Sequence, residues 1–323
     1  MAKRNLLLCF DAFGTLFHIK RPIEQQYGAV ARQYGLSGFS DDQLRDSFRL
    51  AFRAESKSHP NYGKQNGMGA TRWWSNVIHG TFKPFLPSTA TELPPGLVPH
   101  LLRQFASSEG YSAAPRLGAV LSTLRQQPGA RPNSVYDRVV IGVITNSDDR
   151  VPGVLSALGL HVSPLRFSEK MGHGCDANVA ITGTDSYDID FHCMSYDVGF
   201  EKPDTRIFQA AEGLLMHVLS GNKCLDGSIE KKDEANTCIA ESWDKMYVGD
   251  DYNKDVVGAQ YAGWYPVFLA GIDKQKQDDP TSIQRLDTLR PQSLASLYKQ
   301  YPIVQIHSLD VLVDWLTGHC VER

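Results

Sequence analysis

The chain has 323 residues, 42% of them hydrophobic and 21% charged, the balance of a folded globular protein of about two domains. A net charge of -3 and a pI near 6.4 leave no basic footprint for nucleic acid or an anionic membrane surface, and no apolar stretch approaches the length of a membrane span. Six cysteines without a CxxC pair, in a chain whose first apolar run is too short for an export signal, predict free thiols and a cytoplasmic location. His173 and Cys175 make at most half of a metal site and are read as loop residues.

Residues 5–10 form an apolar run that ends in Asp11-Ala-Phe-Gly-Thr15, a buried strand feeding a turn. From about 18 to 110 the pattern is helical. Ile23, Tyr27, Val30, Ala31 and Tyr34 recur at three- and four-residue spacing until Gly35. Ser40 then caps a second helix with Leu44, Phe48, Ala51 and Phe52 on one face. A third helix runs from Ala70 to Phe82, with Trp73 and Trp74 expected as packing residues. A fourth, past a proline-rich stretch, covers about Leu97–Phe105. No strand pattern interrupts this segment, so 18–111 reads as a helical domain inserted between 1–17 and 112–323.

Helices and strands alternate afterwards: a helix at about 115–126, strand 139–144, helix 151–158, strand 188–194, helix 204–217, strand 245–248, helix 253–262 and strand 266–269. This alternation predicts an α/β fold, a parallel sheet with helices on both faces, whose ligands bind beyond the carboxyl ends of the strands. Hydrophilic segments at about 164–187, 218–241 and 273–301 read as surface loops, with a lid or protein-partner role as the alternative.

The predicted strand ends gather a distinctive set: Asp11, then Thr145-Asn146-Ser147-Asp148, then Glu201-Lys202-Pro203-Asp204, then Gly249-Asp250-Asp251 with Asp255 four positions on. Each alone reads as a turn or cap residue; together, each at a strand end, they read as one site. A carboxylate such as Asp11 attacks phosphorus or carbon and splits one hard step into two. Thr145 and the amides after it hold anionic oxygens, and Lys202 supplies fixed positive charge. Two carboxylates about 4 Å apart repel by on the order of 4 kcal/mol at an effective dielectric of 20. Asp11 and Asp250 therefore call for a cation between them, and hard oxygen ligands select Mg2+.

With these four groups in this order the sequence resembles the haloacid dehalogenase (HAD) superfamily of hydrolases. Asp11 to Thr15 resemble its first motif, Thr145 the second, Lys202 the third, and Asp250 with Asp255 the fourth. The resemblance covers about 5–270, apart from the loops at 164–187 and 218–241. The segments Phe48–Gly63 and Arg72-Trp73-Trp74 carry it into the helical insertion, and Val198–Asp204 with Arg206-Ile207-Phe208 carries it past the third motif. It implies a Rossmann-like core with a helical C1 cap, a phosphorylated or acidic small-molecule substrate, and Mg2+ held by Asp11, the Phe13 backbone carbonyl and Asp250. Asp11, Thr145, Asn146 and Lys202 are then the catalytic residues, with Thr15, Asp251 and Asp255 behind them. In this superfamily the cap selects substrate, which makes Arg49, Arg53 and Tyr62 candidate contacts. Arg45, Arg49 and Arg53 recur every four residues, but Asp41, Asp42, Asp46 and Glu55 interleave with them, which favours a solvated helix face.

One position departs from the resemblance. Phosphatases of the superfamily carry Asp-x-Asp in the first motif, the second Asp serving as general acid and base; here it is Phe13. General acid–base help is typically worth about 10²–10⁴-fold. The expectation is a Mg2+-dependent phosphohydrolase favouring good leaving groups such as acyl or aryl phosphates. The superfamily's dehalogenases also carry an aromatic residue there, but they work without metal and have Ser in place of Asp250. A dehalogenase-like hydrolase acting at carbon is one alternative; a binding protein that has lost turnover is the other.

Overall fold

A computed structural model describes residues 4–125, 136–167, 187–220, 243–271 and 283–318. The chain divides into two compact units, the first comprising Met1–Leu16, Ala113–Asn146 and Gly159–Arg323, the second Phe17–Ser112 and Ser147–Leu158.

The strands in chain order are β1 (Arg4–Phe10), β2 (Phe17–Ile19), β3 (Tyr111–Ala113), β4 (Tyr136–Thr145), β5 (Phe191–Met194), β6 (Trp243–Gly249), β7 (Tyr265–Leu269), β8 (Ile283–Arg285) and β9 (Ile303–Ile306). Short β2 and β3 pair with each other. The other seven form one sheet, ordered β5-β4-β1-β6-β7-β9-β8, and the pairs within it are parallel. β1 lies near the middle, and Leu6, Leu7, Leu8, Cys9 and Phe10 are completely buried in succession. A strand covered on both faces has no polar side to alternate with, which is why its sequence is a continuous apolar run. Leu7, Cys9, Ile144, Phe191, Cys193, Phe208, Tyr247 and Trp264 belong to one core cluster. Cys9 and Cys193 are buried and unbridged; the other four cysteines, and His173, lie outside the described residues.

Two expectations about the first unit need correction. The stretch 273–301 is not one loop: Ile283–Arg285 is a strand and Leu294–Gln300 a helix, followed by β9 and the helix Leu309–Thr317. β8 is a three-residue edge strand carrying Gln284 and Arg285, and polar edge strands look like loops in a sequence. The helix expected at 253–262 starts as a π-helical turn, Tyr252–Val257, before the short α-helix Gly258–Tyr261. Of 164–187, the described residues 164–167 are tied to β5, since Phe167 donates to the His192 carbonyl and His192 to that of Leu165. Residues 218–220 end the helix Thr205–Ser220; 168–186 and 221–242 lie outside the described residues.

The second unit is built of the helices Ile23–Gln33, Asp41–Ser58, Ala70–Phe82, Leu97–Gln104 and Val151–Ala157. Ser40 begins the second of them with a reciprocal capping box: its hydroxyl accepts from the Gln43 amide at 3.2 Å, and Gln43 Oε1 accepts from the Ser40 amide at 2.9 Å. Ser147–Leu158 was expected with the first unit and clusters with the second. Asp148, fully buried, explains why: it accepts from Trp74 Nε1 at 2.8 Å and from both Nε and an Nη of Arg150 at 2.8 Å, while the guanidinium lies 4.5 Å from the Trp74 ring centroid. Asp148 therefore belongs to this network and not with the other strand-end carboxylates.

One buried group makes the fold pH-sensitive. His192 on β5 is held neutral, its pKa pushed down from 6.5 to about 4, by burial first and by the nearby Arg166 guanidinium. The unfolded chain binds this proton below 6.5 and the folded chain does not, so stability falls as pH drops from about 6.5 to about 4. The loss approaches about 3 kcal/mol at the low end. Urea denaturation at pH 7 and pH 4.5 is expected to show a smaller pH loss for His192→Gln than for the unsubstituted protein.

Candidate active site

The carboxyl ends of β1 and β6 bring Asp11, Asp250 and Asp255 together, and Lys202, from the segment after β5, joins them. β1 and β6 are adjacent, with Phe10 opposite Val248, so Asp11 and Asp250 leave the sheet side by side; the Asp11 amide donates to the Val248 carbonyl at 2.8 Å. One carboxylate oxygen each of Asp11, Asp250 and Asp255 lie within 4.8 Å of one another. Close approach here depends on glycine. Gly14 has φ +90°, and a Cβ there would overlap the Asp250 carboxylate; a Cβ on Gly249 would overlap that of Asp255.

Lys202 is the cation of the cluster. Its Nζ lies 2.9 Å from Asp11 Oδ1 and 2.7 Å from Asp255 Oδ1. The contact with Asp11 is an ion pair rather than an aligned hydrogen bond, whereas that with Asp255 is both. Burial opposes the charge on Lys202, but Asp11 and Asp255 outweigh it and hold its pKa above the usual lysine value. Burial likewise raises Asp255, with Lys202 pulling it down and Asp11 adding to the rise. Asp255 has both oxygens engaged, Oδ1 with Lys202 and Oδ2 with the Asp251 amide at 2.9 Å. It is thus a holder of Lys202, while Asp11 and Asp250 stand within the same cluster.

Other expected residues take more specific places. Asn146 gives its side-chain amide to the backbone of Lys202: Oδ1 accepts from the Lys202 amide at 2.7 Å and Nδ2 donates to its carbonyl at 3.0 Å. Thr145 is buried at the last position of β4. Thr15 is fully buried and its Oγ1 meets no hydrogen-bond partner. The Asp251 side chain caps the following turn, accepting from the Asn253 and Lys254 amides at 3.1 Å each. Phe13 stands 45% exposed. In the second unit, Arg49 and Arg53 are exposed on the helix Asp41–Ser58. Tyr62 has a left-handed backbone, φ 57°, and lies edge-on to Trp73 with centroids 5.1 Å apart.

Tyr247 is the member that sequence reasoning missed. From β6 it reaches past Cys9 of β1, a small residue at the facing register position, to β4. Its hydroxyl donates to the Ile144 carbonyl at 2.6 Å and accepts from Lys202 Nζ at 2.7 Å. It ties the lysine to the residue before Thr145. Nothing in the pattern of a buried strand distinguishes such a tyrosine from a packing residue. Tyr247→Phe strands a buried carbonyl and removes one acceptor from Lys202, with an expected stability cost of about 1–3 kcal/mol. Chemical denaturation of the variant checks this.

Comparisons with known proteins place the chain in a family. A family profile described as haloacid dehalogenase-like hydrolase matches residues 6–225. An uncharacterized hydrolase of Schizosaccharomyces pombe is 29% identical over 258 residues, 80% of this chain and 87% of that one. Haloacid dehalogenase-like hydrolase domain-containing protein 3 of Mus musculus is 26% identical over 267 residues, 83% and 82% of the two chains. Among solved structures, a defluorinating L-2-haloacid dehalogenase superposes with a TM-score of 0.52 at 12% identity, over 96% of this chain and 94% of that one, a likeness of fold.

Proposed function

Since the chain belongs to the haloacid dehalogenase-like hydrolase family, we propose that it is a Mg2+-dependent phosphohydrolase in which Asp11 is the nucleophile. The observation that carries this is the crowding of the cluster: one oxygen from each of three carboxylates lies within 4.8 Å of the others, with Lys202 paired to Asp11 and Asp255. A divalent cation relieves the repulsion among carboxylates this close. The donors suit it, being hard oxygens, and Gly14 leaves room for the Asp250 carboxylate. Asp11, Asp250 and the Phe13 carbonyl would hold the ion, which when bound withdraws negative charge from the phosphoryl oxygens.

The residues of the chain do the rest. The Asp11 carboxylate attacks phosphorus; the bond to the leaving oxygen breaks, and that oxygen departs with the electron pair. Lys202 sits where it stabilises charge on the transferring group, placed by Asn146 through its backbone and by Asp255 and Tyr247 through its Nζ. Thr145 at the end of β4 is a donor to a phosphoryl oxygen. Water then attacks phosphorus, phosphate leaves, and Asp11 returns as a carboxylate. Phe13 supplies no proton to the leaving oxygen and takes none from water, so both exchange with solvent, and the enzyme is a weak catalyst for poor leaving groups. The second unit is the helical cap of this reading, with Arg49, Arg53 and Tyr62 as its candidate substrate contacts.

Phe13 also favours a second reading, hydrolysis at carbon, since a halide needs no proton. Asp250 stands against it: without a cation its charge opposes the attack of Asp11. A panel of phosphate esters assayed with Mg2+ and with chelator, beside 2-haloacids, tests the proposal. Mg2+-dependent phosphate release is expected; halide release in chelator with no phosphate release would overturn it.

A further inference from the structure

Among the described residues of the first unit, the large apolar side chains that stay exposed are Phe13, Phe200, Tyr252 and Tyr261. Single exposed apolar residues need no explanation. Three of these four, however, share a placement: Phe13 lies two positions from Asp11, Phe200 two from Lys202 and Tyr252 two from Asp250. Two residues of chain span at most about 7 Å. Their charged neighbours meet in one cluster, Lys202 against Asp11 at 2.9 Å and Asp250 beside Asp11. The backbone positions of the three exposed aromatic residues therefore lie within about 7 Å of these charged neighbours. Two are also held by a neighbour: the Arg206 guanidinium stacks on Phe200, and Tyr252 sits edge-on to Phe268 with centroids 6.0 Å apart. Rings fixed in this way contact a ligand without ordering cost on binding.

We propose that this site takes phosphate monoesters with an aromatic leaving group, whose ring packs against Phe13, Phe200 and Tyr252; the inference rests on the phosphohydrolase reading above. The chemistry at position 13 selects the same class. With no proton donor there, the leaving oxygen departs as an anion. A phenol ionises near 10, whereas an aliphatic alcohol ionises close to water, at about 15.7. A phenolate leaves with the electron pair of the broken P–O bond and takes its proton from solvent. Water then adds to phosphorus, and its proton goes to the phosphate released.

The test compares phenyl phosphate, acetyl phosphate and glycerol phosphate with the full chain in Mg2+. kcat/KM for phenyl phosphate is expected to exceed that for glycerol phosphate by at least roughly 10²-fold. Phe200→Ser and Tyr252→Ser are each expected to lower the phenyl-to-acetyl ratio of kcat/KM by roughly two- to tenfold. Equal rates for phenyl and glycerol phosphate, or ratios that move in neither variant, would overturn the aromatic preference while leaving the phosphohydrolase reading standing. Failure of all three substrates would overturn that reading and this one with it.

Discussion

Asp11→Asn is expected to lower kcat for every phosphate substrate by roughly 10⁴-fold or more, the scale on which losing a nucleophile acts. The amide has nearly the shape of the carboxylate but offers no nucleophilic oxygen. The same substitution is not expected to unfold the protein. Lys202 keeps Asp255 at 2.7 Å and Tyr247 at 2.7 Å, and the crowded cluster loses one of its negative charges. In chelator, the thermal midpoint of Asp11→Asn should equal or exceed that of the unsubstituted protein. Progress curves for phosphate release and a thermal melt, taken on the same preparation, separate a lost nucleophile from a lost fold. Activity within tenfold of the original would remove Asp11 from the chemistry.

Phe13→Asp is expected to act in the other direction, raising turnover of glycerol phosphate by about 10²–10⁴-fold. The ring is 45% exposed, so replacing it removes little buried apolar surface. The new carboxylate stands two residues from Asp11, where it can give a proton to the leaving oxygen and later take one from water. It also adds negative charge beside Asp11, Asp250 and Asp255, so the gain should appear only with Mg2+ present. Steady-state rates across substrates of graded leaving-group acidity measure the effect: the steep dependence of the original protein should flatten. A protein inert toward all phosphates that becomes active only on this substitution would instead be a binding member of the family.

Much of this was legible in the sequence because it is local. The continuous burial of Leu6–Phe10 follows from an unbroken apolar run, and the capping of Asp41–Ser58 from Ser40 and Gln43 standing three apart. Asp11, Lys202, Asp250 and Asp255 were identifiable because parallel topology sends strand ends to one place. What escaped depends on contacts between distant residues. The Tyr247 hydroxyl serves Ile144 and Lys202 from a strand whose pattern shows only burial. Asp148 looks like its neighbours at the end of β4, yet Trp74 and Arg150 draw it into the second unit. Leu294–Gln300 has too few residues for a periodicity to stand out, and β8 is too short and too polar. That Asp255 grips Lys202 with one oxygen and the Asp251 amide with the other is likewise invisible until the turn after β6 is in three dimensions.

In the proposed reaction Asp11 carries the phosphoryl group between the two steps. Acid quenching during turnover of phenyl phosphate in Mg2+, followed by mass analysis of the peptide containing residue 11, tests it most directly. A phosphoryl group is expected on Asp11, absent in chelator and absent in Asp11→Asn. Steady phosphate release with Asp11 unmodified, or oxygen from labelled water entering the Asp11 carboxylate during turnover of a 2-haloacid, would contradict it.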